Sequence, residues 1–335
     1  MTVKAWKVIG RCLLVLLCVV LVIAIVGIAQ FFHRSDPKNV KRYDTDNPFI
    51  TGETAISAHR SGAGDYPEET LAAFRGCVEN PDFAVDYFEF DLHMTADDIL
   101  VLSHDATLDR VSDAVSVFGA EGVLVREKTL AELKQLNMAA QFVTDAGESP
   151  YADLHGGDVP DKLRILSLDE VLDYLTAAGD YRYIIEIKDG GETGLAAADQ
   201  LYATLLARGL LDRVIIGSFR DEVAAYITEN YPDTHRSASP EEVIRFYLAA
   251  LTGKKDFACS YDVLQLPFGR ESARSSYGLN LGTTTIINYA HANDLAIQYW
   301  TVNDEADMAY LASIGADALI TDYPDRAASI LSGVQ

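Results

Sequence analysis

Two carboxylates two residues apart, Glu89 and Asp91, sit in Tyr87–His93, a run whose β-rich alternation predicts a strand. The i, i+2 spacing places both on one face and turns Phe88 and Phe90 to the other. The alternation recurs in Tyr183–Lys188, where Glu186 and Lys188 share a face. Two more expected strands end in histidine: Thr54–His59, with Arg60 next, and Ile99–His104, with Asp105 next. Gathered at the C-terminal mouth of a parallel barrel, these residues would bring together three carboxylates, two histidines, an arginine and a lysine. Carboxylates that close repel one another. A hard divalent cation, Mg2+ or Ca2+, offsets the repulsion, because both ions prefer oxygen ligands. Histidines exchange protons near neutral pH and can divide acid and base roles. Arg60 and Lys188 suit an anionic substrate, the guanidinium fork most of all. Singly, none of these residues carries the reading, since a lone glutamate on a strand is ordinarily solvated or ion-paired. Their combination at strand ends does. His93, His155, His235 and His291 read as loop or surface histidines.

The elements that must position them alternate between strand and helix. Beyond the four runs above, strands are expected at Val214–Ser218, weakly near Thr234–Ala238, and at Tyr261–Leu266, Ala296–Val302 and Ala318–Thr321. Amphipathic stretches such as Glu69–Val78, Leu168–Thr176, Ala196–Leu206, Glu241–Leu251 and Glu305–Ile314 lie between them, the pattern of a parallel sheet with helical crossovers. Met94 to Asp98 is too short for a parallel crossover, so Ile99–His104 is expected to return antiparallel beside Tyr87–His93. A turn centred near Asp97 sets His104 across from the Glu89–Asp91 region. Removing that return strand leaves eight strands. The expected fold is a TIM-type (β/α)8 barrel with an insertion, about residues 106–164, after the second barrel strand. A connection of that length reads as a lid or subdomain over the mouth.

The formal charge of the 335-residue chain is −23, yet residues 1–42 carry seven basic side chains against one acidic. The remaining body is therefore more acidic than the whole, which argues against nucleic acid as a partner. Cys12 to Ala29 is an uncharged, almost wholly aliphatic run, long enough as a helix to cross a hydrocarbon core of ~30 Å. Small residues at Gly27-Ile28-Ala29 leave a removable signal peptide as the rival reading, and the length of the run favours an uncleaved single-pass anchor. Lys4, Lys7 and Arg11 point to a cytoplasmic N-terminus and an extracytoplasmic globular part. The division is thus 1–34 flank and transmembrane anchor, 35–53 stalk, 54–335 barrel. Cys77 and Cys259 are the only cysteines outside the apolar run and form no zinc spacing, so they read as small buried hydrophobes.

From Ile56 to Pro324 the chain resembles the glycerophosphodiester phosphodiesterase family. The resemblance rests on Ala58-His59-Arg60-Ser61, Pro67-Glu68-Glu69-Thr70, Glu89-Phe90-Asp91, His104-Asp105 and Glu186-Ile187-Lys188. Two later blocks, Trp300-Thr301-Val302-Asn303 and Gly315 to Pro324, extend it. Ser61 stands where the family has glycine and Glu69 where it has asparagine, departures that bear on substrate shape. A glycine at the first position would permit a positive φ. The resemblance implies a divalent cation held by Glu89, Asp91 and Glu186, an acid–base pair of His59 and His104, and phosphate binding by Arg60 and Lys188. Glu68 is a candidate partner of Arg60 or His59. Trp300 is either a wall of the pocket or a packed barrel tryptophan. The implied reaction cleaves a glycerophosphodiester to glycerol phosphate and an alcohol. Lysophospholipids or envelope glycerophosphate polymers are alternative substrates, and a non-catalytic membrane-anchored scaffold is the alternative outside the enzyme class.

Overall fold

Strands buried on both faces need apolar residues along most of their length, and runs such as Tyr183-Ile184-Ile185 and Val214-Ile215-Ile216 supply them. The computed structural model describes residues 17, 18, 21, 22, 33–269 and 279–334. Its strands are β1 (Ala55–Ala58), β2 (Tyr87–Met94), β3 (Leu100–Leu102), β4 (Arg182–Ile187), β5 (Val214–Gly217), β6 (His235–Arg236), β7 (Val263–Pro267), β8 (Ala296–Trp300) and β9 (Ala318–Thr321). Eight of them run parallel in the order β6-β5-β4-β2-β1-β9-β8-β7. The ring nearly closes where the Ala238 amide donates to the Val263 carbonyl at 2.9 Å and the Asp262 amide to the Arg236 carbonyl at 3.1 Å. Helices follow the strands on the outside, as the alternation requires.

The expected hairpin is present. β3 pairs antiparallel with β2, with Leu92 opposite Leu102 and Met94 opposite Leu100, which centres the turn on Asp97. The insertion that follows has its own apolar cluster, built on Val101, Leu108, Val125, Leu133, Leu136 and Ile165. The weakest expected strand is also the shortest, β6. Its Arg236 is buried and forked onto Glu242 with two contacts of 2.7 Å. That fork ties the strand to the helix Pro240–Thr252 that follows it.

Three readings need correction. Cys77 is buried as expected, but Cys259 is exposed. His93 is not a loop or surface residue. It is 5% exposed on the same face of β2 as Glu89 and Asp91, and its Nδ1 lies 2.7 Å from Asp189 Oδ1. The strand runs on to Met94, and Asp189, just past β4, covers its end by pairing with the His93 ring and accepting from the Met94 amide at 2.8 Å. Residues 35–53 are not a free stalk. The Ser35 amide donates to the Tyr310 hydroxyl at 2.8 Å, and Asn47 Nδ2 donates to the carbonyls of Asp262 and Asp294. Phe49 is 1% exposed and clusters with Tyr87, Ile184, Ile215, Val263, Ala296 and Ile320, the inward residues at the foot of the strands. One aromatic ring thereby plugs the barrel floor, and the polar residues around it hold the segment in place. The expected span 12–29 lies mostly outside the described residues. Among the described residues no helix is long and apolar enough to cross a membrane.

Removing the plug leaves a cavity that the strands cannot collapse into. Phe49→Ala should lower unfolding free energy by about 3–5 kcal/mol, read from urea denaturation. A loss below ~1 kcal/mol would mean that the segment merely rests on the barrel.

Candidate functional site

The strand register stacks the charged residues. β2 and β4 pair Asp91 directly with Glu186, and β5 continues the row with Gly217 opposite Glu186. A side chain at 217 would meet Ser237 Oγ at 3.3 Å and Glu186 Cγ at 3.8 Å, so glycine there leaves room for the glutamate. Above this row Lys188 Nζ lies 3.0 Å from Glu186 Oε1 and 3.4 Å from Asp91 Oδ1. Arg60 sits opposite, with Nε 3.8 Å from Asp91 Oδ2 and its amide donating to Glu89 Oε2 at 2.7 Å. Asp91 is 1% exposed, and neither of its oxygens accepts a hydrogen bond.

Each histidine is anchored through Nδ1. His59 Nδ1 lies 2.6 Å from Asp322 Oδ1, and Asn303 Nδ2 donates to the other Asp322 oxygen at 2.6 Å. His104 Nδ1 lies 2.7 Å from Asp105 Oδ1, and Arg110 Nε donates to Asp105 Oδ2 at 2.5 Å. Such carboxylate–imidazole pairs fix the ring and leave Nε2 for chemistry. His59 Nε2 is 4.0 Å from Glu89 Oε2. His59, Arg60, Glu89, Asp91, His104, Glu186, Lys188 and Trp300 all line one cavity of about 590 Å³. Glu68 borders the group from outside the lining, taking a fork from Arg110 at 2.7 and 2.8 Å and lying 3.5 Å from Arg60 Nη1. Trp300 donates its indole N–H to the Gln265 carbonyl, so it both packs and forms wall.

Burial sets the protonation of these groups, and neighbours then divide them. Burial and Asp91 push Glu89 up to about 7 and Glu186 up to about 8. For His59 burial alone would favour the neutral ring, but Glu89 and Asp322 outweigh it and the pKa rises. His104 moves the other way. Burial, with Arg60 and Lys188, holds its pKa below the usual histidine value despite the pull of Asp91. Lys188, although burial opposes its charge, is kept charged by Asp91 and Glu186.

A divalent cation would meet only oxygen donors from Glu89, Asp91 and Glu186, the set that Mg2+ or Ca2+ prefers, and the orphaned Asp91 oxygens fit that use. Among the described residues no three acidic, histidine or cysteine groups form a ready-made cation cage. Here Lys188 and Arg60 stand against the carboxylates that a cation would otherwise neutralise.

Sequence reasoning missed Asp322, Asp105, Arg110 and Glu69 as parts of this site. Asp105 directly follows His104, and Asp322 directly follows the last strand, so position alone pointed to both. Arg110 comes from the insertion, where no pattern marked it. Glu69 is buried, at φ 55°, and its Oε1 accepts the Asp91 amide at 2.7 Å. Ser61 also takes a positive φ, 66°. Both departures from the family pattern therefore fall where glycine or asparagine is most at ease.

Fold and site together describe a parallel (α/β)-barrel whose mouth gathers two cationic side chains, three carboxylates and two carboxylate-anchored imidazoles around one cavity. A sequence model of the Glycerophosphoryl diester phosphodiesterase family matches residues 59–326, and the chain belongs to that family. It is accordingly an enzyme, a phosphoric diester hydrolase of the glycerophosphodiester class. A glycerophosphodiester phosphodiesterase of Bacillus altitudinis is 26% identical over 280 residues, 83% of this chain and 98% of the relative. One of Bacillus subtilis (strain 168) is 27% identical over 273 residues, 80% of this chain and 83% of the relative. Among solved structures, an Oleispira antarctica phosphodiesterase in complex with the product sn-glycerol-3-phosphate superposes with a TM-score of 0.61. The match has 19% identity and covers 85% of this chain and 99% of that one. At that identity the likeness speaks for the fold.

Burial, Asp91 and Glu68 raise the Glu69 pKa well above the ordinary value. A raised carboxyl means that the folded state binds more protons than the unfolded one, so stability falls as pH rises above the unfolded pKa of about 4.5. Glu69→Gln keeps an acceptor for the Asp91 amide and removes that loss. Urea midpoints taken with chelator present should show the variant more stable at pH 7 and equal to the parent near pH 4. Equal midpoints at both would show that Glu69 is ionised in the fold.

Proposed function

We propose that the enzyme hydrolyses glycerophosphodiesters to glycerol phosphate and an alcohol, using His59 and His104 as an acid–base pair and a divalent cation held by Glu89, Asp91 and Glu186. The observation that carries this reading is the pair of carboxylate-anchored imidazoles facing one cavity together with Arg60 and Lys188. The product named for the Oleispira antarctica structure, sn-glycerol-3-phosphate, is consistent with it. Arg60 and Lys188 bind the phosphate oxygens and balance charge as the phosphorane develops. His104, facing the positive Arg60 and Lys188, is the neutral ring and takes the proton from the substrate's glycerol 2-hydroxyl. That oxygen attacks phosphorus and closes a cyclic phosphate. His59, between Asp322 and Glu89, is the charged ring and gives its proton to the departing alkoxide. The roles reverse when water opens the ring. A bound divalent cation adds Lewis-acid stabilisation of the phosphoryl oxygens. Asp322 and Asp105 fix the two rings, and Arg110 steadies Asp105.

His59→Ala and His104→Ala should each lower turnover of glycerophosphoethanolamine by about 10²-fold or more with little change in stability. Chelator should abolish turnover in the parent, and added Mg2+ or Ca2+ should restore it. A nitrophenyl diester, whose leaving group needs no proton, should rescue His59→Ala and leave His104→Ala impaired. Near-parental turnover in both variants on the unactivated diester would sink the mechanism. A scaffold would show no cation-dependent turnover at all.

The N-terminal run is proposed as a single-pass anchor that holds the barrel outside the cytoplasm. Leu17, Leu21 and Val22 are helical and more than half exposed, which suits a lipid-facing segment. Full-length protein should sediment with membranes after a carbonate wash, with its barrel cut by protease added to intact spheroplasts. Release by carbonate would exclude the anchor, and protection from protease would exclude the orientation.

A further inference from the structure

The cavity is divided by the strand order. Among the described residues, every charged group that lines it comes from the neighbouring strands β1, β2 and β4 and the hairpin of β2, whereas the part beyond β5 and β6 has only Ser218, Ser237 and Gln265 as polar side chains and is otherwise walled by apolar residues. Phe219, Pro240, Val243, Ile244, Tyr247 and Leu281 form that second lobe. Four of the six come from the helix Pro240–Thr252, at spacings of three and four residues, hence from one stripe. An adjoining stripe of the same helix, Phe246, Ala249 and Ala250, is buried in the core. Val243 and Tyr247 also pack partly against the core, whereas Ile244 on the same stripe stands more than half exposed among the described residues. Ile244 at 55%, Leu248 at 58% and Leu251 at 58% exposure carry that stripe outward from the cavity, and Phe219 at the rim is 53% exposed. Scattered exposed leucines are ordinary. A stripe that begins inside a catalytic cavity and continues onto the surface is not scattered.

Glycerol, phosphate and a small polar alcohol offer nothing to such a wall, since each is hydrated and would gain little by leaving water for it. A single aliphatic chain does. We infer that the β5–β6 lobe binds an aliphatic chain carried by the substrate, so that the enzyme prefers lipid-bearing phosphodiesters to fully deacylated ones. The inference rests on the reaction proposed above and names its substrate class. The chain can be attached on the glycerol side, as in a 1-acyl lysophospholipid, or on the departing alcohol. Both present the same chemistry to the lobe. In either case the phosphate stays at Arg60 and Lys188 while the chain lies across the mouth toward Ile244.

Each methylene buried should raise affinity about fourfold, the equivalent of ~0.8 kcal/mol. Two substrate series below their micelle concentrations test this: 1-acyl-glycerophosphocholines and glycerophospho-n-alkanols of two to eight carbons. In at least one, kcat/KM should climb about three- to fourfold per methylene until the lobe is filled, and the series that climbs identifies the side that bears the chain. Ile244→Glu should flatten the climb, losing tenfold or more on the longest member while keeping turnover of glycerophosphoethanolamine. Ile244→Met should retain the climb. Calorimetric titration with n-alkyl phosphates gives the same ladder without turnover. If no diester is hydrolysed but alkyl phosphates still bind more tightly with length, the reaction is wrong and the lobe stands. Affinity and kcat/KM that do not change with length, or an Ile244→Glu defect equal on short and long substrates, would overturn the inference.

Discussion

A carboxylate moved out of water must be compensated, and Asp91 is the case on which this mouth depends. It is almost wholly buried, its oxygens accept no hydrogen bond, and Glu89 and Glu186 lie on the same inner surface. Left alone, three such groups would not stay charged together, which is why burial and Asp91 push both glutamates toward neutrality. Arg60 and Lys188 approach from either side because the charge there attracts them. The same concentrated charge that makes the site costly to build makes it ready for a cation and a phosphate, both of which relieve it. Stability and function pull against each other here, and the surrounding barrel, with its apolar floor and close-packed outer layer, holds the arrangement together.

The two histidines illustrate how one residue type is given opposite tendencies. Both are held through Nδ1 by an aspartate, so their anchoring is nearly the same. Their remaining neighbours differ. Glu89 adds negative charge at His59, and Arg60 and Lys188 add positive charge at His104. The difference comes from which strand end each ring occupies rather than from the ring or its anchor. The insertion takes part too, because Arg110 steadies Asp105 and also clamps Glu68, linking the hairpin to the loop after β1. A segment with its own apolar cluster thereby adjusts the geometry of the mouth.

The division of the cavity into charged and apolar halves follows from the same strand order. β1, β2 and β4 are neighbours in the ring, so their polar ends gather on one side. Among the described residues the strands across the ring bring uncharged side chains to the cavity, Gln265 and Thr301 among them, and the helix after β6 adds an apolar stripe. A barrel mouth offers this partition readily, because each strand end can be changed without disturbing the others.

Local pattern in the sequence determined much of this. Period-two alternation placed Glu89 with Asp91 and Glu186 with Lys188, and the short Met94–Asp98 link determined the hairpin, since five residues cannot make a parallel crossover. Those are constraints between near neighbours, and a linear reading captures them. Only the tertiary structure decided the rest. It buried His93 because Asp189, 96 positions away, pairs with its ring, and it brought residues 35–53 under the barrel because Phe49 had a floor to fill. It joined Asp322 to His59 across 263 positions of sequence, and Arg110 to Glu68 across 42. Contacts of that kind arise when a ring of strands closes, and closure is a property of the whole chain that no window of residues contains.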